Sequence, residues 1–203
     1  RAMPAPRAIL MVSAHWEMAP IAVSATSGDV PLLYDFWGFP QRYYEVTYDA
    51  PGAPELARSV AGLLSGAGET LHQDPTRGLD HGAYVPLKEM FPEADVPVVQ
   101  LSMPTLDPHR LFALGERLAP LRDENVLILG SGFSYHNLGQ FFSPAAREPS
   151  QQFDSWLAGT MLDSSPNFRD VRHGLGAARR VGAGADVYAA GRSRVARVSR
   201  FRQ

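Results

Sequence analysis

Continuous apolar runs separated by amphipathic stretches constrain this chain more than any other feature. Ala8-Ile9-Leu10-Met11-Val12-Ser13-Ala14 and Val126-Leu127-Ile128-Leu129-Gly130 lack the alternation of a half-exposed strand. That is the pattern of strands buried on both faces of a sheet. A third run, Val96 to Met103, carries Pro97 near its start, where proline costs a strand least. Between the runs lie helical patterns. Pro54 suits a first turn, Leu56, Val60, Leu63 and Leu64 form one stripe, and Gly66 and Gly68 follow the expected end at Ser65. Further helices are predicted over Gly82–Met90, Pro108–Leu121 and Gln151–Leu162, with short strands at Ile21–Thr26 and Glu69–Gln73. Strands that alternate with helices predict a layered α/β domain. The chain of 203 residues is long enough for one sizeable core, so a single domain over 1–203 is expected.

Two stretches break the alternation. Leu33 to Ala53 is crowded with Tyr34, Phe36, Trp37, Phe39, Tyr43, Tyr44 and Tyr48, and reads as a long ordered loop with one helical turn. From Phe168 onward the chain is rich in Arg, Gly and Ala, punctuated by Val and Tyr, and reads as edge strands with solvated arginines.

Composition removes several classes of function. A formal charge of -2 argues against nucleic acid or an anionic membrane as partner. With no cysteine there is no disulfide framework and no thiolate metal site. Any metal is therefore held by nitrogen and oxygen, which suits zinc or non-haem iron. No apolar stretch is long enough to span a bilayer and no signal peptide is visible, so a cytoplasmic location is expected. There is no Gly-x-Ser-x-Gly elbow, phosphate loop or His-Glu-x-x-His helix. Ser13, Ser131 and Ser134 are candidate nucleophiles by proximity to histidine alone.

Three of the histidines stand beside the apolar runs and turns. His15 follows the first run, between small Ser13-Ala14 and bulky Trp16-Glu17. His136 follows the Gly130-Ser131-Gly132 turn, with Asn137 beside it to orient the ring. Open α/β sheets bind ligands at the carboxyl ends of their strands, so both fall where chemistry is expected. His81, in Asp80-His81-Gly82, has two readings: a site residue, or simply the start of a helix capped by Asp80. His72, His109 and His173 carry no motif and read as structural.

Taken in order, these segments resemble the 4,5-DOPA extradiol dioxygenase family of class III extradiol enzymes. The resemblance rests on Val12-Ser13-Ala14-His15-Trp16, Tyr34-Asp35-Phe36-Trp37-Gly38-Phe39-Pro40, Tyr48-Asp49-Ala50-Pro51-Gly52, Gly78-Leu79-Asp80-His81-Gly82, Val96 to Ser102, and Ser131-Gly132 through His136-Asn137-Leu138. It implies a three-layer α/β fold with a central mixed, mostly parallel sheet, like that of protocatechuate 4,5-dioxygenase. It implies extradiol cleavage of a catechol-type ring with O₂ at a mononuclear non-haem metal, Fe(II) or Zn(II). It implies His15 as metal ligand, His136 as metal ligand or acid–base group, and His81 as a catalytic hydrogen-bonding group. Two further family segments with metal ligands, an early Gly-His-Gly and a late Glu-Glu-His, have no counterpart in this sequence, and a truncated or gapped chain is expected. Glu17 and Glu45 are the candidate substitutes, with surface placement the simpler expectation. The competing expectations are a metal-deficient homologue acting as a binding or interaction module, and a zinc-dependent hydrolase on the same scaffold.

Overall fold

Strand alternation sorts the first apolar run between two layers. In β1 (Ala8–Glu17), Ala8 and Leu10 belong to one hydrophobic cluster and Ile9 and Met11 to another, as a period of two demands. The computed structural model describes residues 5–133, 135–140 and 143–162. Residues through Ser131 form one compact unit, and a second begins at Gly132.

The first unit holds a five-stranded sheet in the order β3-β2-β4-β1-β5, with β2 Ala22–Val23, β3 His72–Gln73, β4 Val98–Met103 and β5 Val126–Ser131. β1 lies between β4 and β5 and is parallel to both, with Leu10 opposite Val99 and Ile128. β2 pairs parallel with β3 but antiparallel with β4, at Val23 and Leu101. The sheet is thus mixed and mostly parallel, as expected.

Helices cover both faces. α1 (Pro54–Ser65) and α3 (Pro108–Leu118) bury Leu56, Val60, Leu64, Leu114 and Leu118 against Leu10, Val99 and Leu101. α2 (His81–Met90) buries Ala83, Tyr84 and Leu87 on the other face, against Ile9, Met11 and Val98. Each fully buried aliphatic side chain contributes roughly 1.5–3 kcal/mol, so the two clusters together anchor the sheet.

The main departures from expectation concern ends. β1 runs three residues past Ala14, so His15 is inside the strand rather than beyond it. β2 is only two residues long, and α3 gives way at Ala119 to a 3-10 segment that carries Leu121 into the core. α1 has its expected bounds. The aromatic stretch is a loop whose one regular turn is a 3-10 helix at Gln41–Tyr44.

In the second unit, α4 (Arg147–Leu162) begins four residues before the expected Gln151. Its Phe153 is buried against Tyr135 and Trp156. The expected C-terminal edge strands and His173 lie outside the described residues. No helix among the described residues is long and apolar enough to cross a membrane.

Candidate metal centre

His15 and His81 are brought together where β1 meets the start of α2. Their ring centroids are 4.1 Å apart at an interplanar angle of 56°. Strand parity explains the placement: Ile9 and Met11 face the α2 layer, and Ser13 and His15 continue that parity to the strand's carboxyl end. Gly82 makes the approach possible. A Cβ there would lie 2.3 Å from Ser13 Oγ and 2.9 Å from His15 Cδ2. Ser13 itself is fully buried, and its Oγ accepts the His15 backbone N–H at 3.2 Å.

Asp80 holds His81 from below. Its side chain accepts from Ala83 N at 3.1 Å, which is a helix N-cap. The carboxylate is fully buried, and it is satisfied by Arg77 at 3.1 Å and by the Gln100 amide. Arg77 in turn lies 4.3 Å over the ring of Trp16, the residue after His15. The Asp-His-Gly turn is a capped helix start, and it also places the His81 imidazole beside His15.

The structure adds a residue whose role the sequence did not single out. Asp35 Oδ1 lies 2.7 Å from His81 Nδ1 and accepts the His81 backbone N–H at 3.1 Å. Asp35 Oδ2 is 3.5 Å from His15 Nδ1. Burial raises the Asp35 carboxyl pKa, but the His81 hydrogen bonds and charge outweigh it and hold the group below its ordinary value. The aromatic loop fixes this carboxylate. Leu33 N–H donates to Leu79 O at 2.8 Å, tying the loop to the approach to α2. Tyr34 Oη donates to Val46 O at 2.7 Å, and Phe36 stacks on Tyr44 at 4.9 Å while meeting the His81 ring edge-on at 5.4 Å. The signal for Asp35 lay in the Tyr-Asp-Phe-Trp segment, a carboxylate among aromatics that pin a loop.

One donor atom from each of His15, Asp35 and His81 lies within 4.8 Å of the others. Two imidazoles and a carboxylate form the donor set used by non-haem iron(II) sites with open positions. The group thus has the chemistry to hold or adjoin a single divalent ion. Glu17 and Glu45 are exposed, as the surface reading expected. His136 belongs to the second unit, where it is exposed and its ring stacks on Phe133 at 6.1 Å. Asn137 donates to Gln140 Oε1 at 3.3 Å. Of the histidines read as structural, His72 sits in β3 and donates its backbone N–H to Ile21 O, and His109 opens α3.

The fold is that of a layered α/β protein, and its His15, Asp35 and His81 form a nitrogen and oxygen group that could hold a metal. Residues 1–174 match the family described as the catalytic LigB subunit of aromatic ring-opening dioxygenase, and the chain belongs to that family. It is 46% identical over 164 residues to a 4,5-DOPA dioxygenase extradiol of Beta vulgaris, covering 79% of this chain and 61% of that protein. It is 41% identical over 174 residues to a 4,5-DOPA dioxygenase extradiol of Portulaca grandiflora, covering 83% and 62%. A crystal structure of an uncharacterized protein from Escherichia coli K12 superposes with a TM-score of 0.65 at 30% identity, covering 90% of this chain and 68% of that one. The chain thus spans about three fifths of the length of the two plant relatives.

Proposed function

We propose that this protein is an extradiol dioxygenase that opens a catechol-type aromatic ring with O₂ at a mononuclear non-haem metal. The observation that carries the reading is the His15–Asp35–His81 cluster at the end of β1, in a chain of the LigB family. When bound, the metal, iron(II) for catalysis, supplies Lewis acidity toward the catecholate and an electron path to O₂.

The chain's own residues divide the remaining work. His15 is a metal ligand. His136 serves as ligand or acid–base group. His81 hydrogen-bonds substrate or oxygen, and imidazole is the usual side chain for taking up a catechol proton and returning it. The aromatic loop walls the site with Phe36 against His81, which limits water at the reacting ring. The protein acts in the cytoplasm on a small aromatic substrate, with no nucleic acid or membrane partner.

Metal analysis of the purified chain, with O₂ uptake on catechol and on DOPA, tests this. The expected result is one iron or zinc per chain, and O₂ consumption that yields a yellow ring-opened product once iron(II) is loaded. A chain that holds no metal is a binding module instead. A zinc-loaded chain that consumes no O₂ but cleaves an ester or amide is a hydrolase.

A further inference from the structure

We propose that Asp35 is a positioning residue that holds the His81 ring, and through its second oxygen the His15 ring, in the form protonated at Nδ1. Nε2 of each ring then keeps a free lone pair for a metal or a proton. The role deepens the ring-cleavage reading and rests on it.

The argument begins with lone pairs. An ionised carboxylate only accepts, and a neutral imidazole carries one N–H and one lone pair. His81 Nδ1 and Asp35 Oδ1 are 2.7 Å apart, a distance at which two lone pairs would repel. Nδ1 therefore bears the hydrogen. The same oxygen accepts the His81 backbone N–H at 3.1 Å, so ring and main chain of one residue are gripped together. The second oxygen stands 3.5 Å from His15 Nδ1, within ion-pair range, and favours the same form of that ring more weakly. One carboxylate thus spans two imidazoles that are 66 residues apart in sequence (81 − 15) and 4.1 Å apart between ring centroids.

Asp35 is itself held on three sides. Leu33 is bridged to Leu79, Tyr34 is bonded to Val46, and Phe36 packs between Tyr44 and His81. A carboxylate that fixes the tautomer of a ligating or acid–base histidine is a recurrent outer-shell device, and losing it costs about 10–100-fold in metal affinity or activity.

The test is ¹⁵N–¹H long-range correlation NMR of the metal-free full chain above the imidazole pKa, with His15→Gln and His81→Gln used to assign the ring signals. The expected result is a His81 ring protonated at Nδ1 in the unsubstituted protein, and a mixture or an Nε2–H ring in Asp35→Asn. Zinc titration of the same two proteins should then show less than about a 10-fold loss of affinity in the variant, because Asp35 reaches the ligand His15 only through the 3.5 Å contact of its second oxygen. An Nε2–H ring at His81 in the unsubstituted protein overturns the proposal, whatever the variant does. So does an Asp35→Asn protein that keeps its tautomers but no longer binds zinc, the mark of a direct ligand. The ring signals report whether or not a catechol is turned over, so this role and the dioxygenase reading can fail separately.

Discussion

Two helices of this protein start in nearly the same way and end up with different work. α2 begins Asp80-His81, and α3 begins Asp107-Pro108-His109. Each Asp caps its helix: Asp80 accepts from Ala83 N, and Asp107 accepts from His109 N at 2.9 Å. Locally the physics is shared, since a carboxylate satisfies free N–H groups and favours the positive end of the helix. The surroundings differ. Asp80 is fully buried with Arg77 and Gln100 against it, whereas Asp107 is exposed. His81 meets His15 and Asp35, whereas His109 lies on the surface at the start of α3. What surrounds the helix start, rather than the cap itself, sets the two histidines apart.

That contrast can be broken most directly at the imidazoles. His15→Ala is expected to weaken metal binding more than about 100-fold by calorimetric titration, beyond the loss of an outer-shell partner. His81→Ala should keep the metal but lower turnover by about 10²–10⁴-fold, the usual worth of an acid–base group. His109→Ala should leave both unchanged, and an equal loss there would abolish the distinction between the two helix starts.

Stability separates the two caps next. Asp80→Ala strands the Arg77 cation beside a buried gap and should cost about 3–5 kcal/mol in urea unfolding. Asp107→Ala removes an exposed cap and should cost about 1 kcal/mol. Similar values for both would mean that burial at α2 contributes nothing beyond capping.

Glycines sharpen the comparison further. Gly82→Ala places a methyl against Ser13 Oγ and His15 Cδ2, and overpacking of this kind costs about 1–3 kcal/mol. It should also weaken metal binding, because His15 must shift. Gly62→Ala in α1 meets nothing within 4 Å and should instead stabilise by about 0.5–1 kcal/mol. The two melting curves should therefore move in opposite directions.

Much of this is legible in the amino-acid sequence. The bounds of α1 followed from Pro54, a stripe of Leu and Val, and Gly66, because capping and side-chain spacing are local. β2 was expected over six residues and is two long. Its length depends on how β3 and β4 flank it, which a propensity for strand does not encode. The histidines at 15 and 81 were recognisable from small neighbours and turn residues. Asp35 lies in an aromatic segment whose residue types assign it no role, because the contacts that fix its loop beside His81, the Leu33–Leu79 bridge among them, are not local.

The order of strands and helices, the two apolar layers of β1 and the exclusion of cysteine chemistry were properties of the sequence alone, because they arise from residue type and spacing within a few turns of chain. The meeting of His15, Asp35 and His81 belonged to tertiary structure. It depends on a parallel strand, a pinned loop and a glycine small enough to let a helix start touch them, and none of those contacts is local.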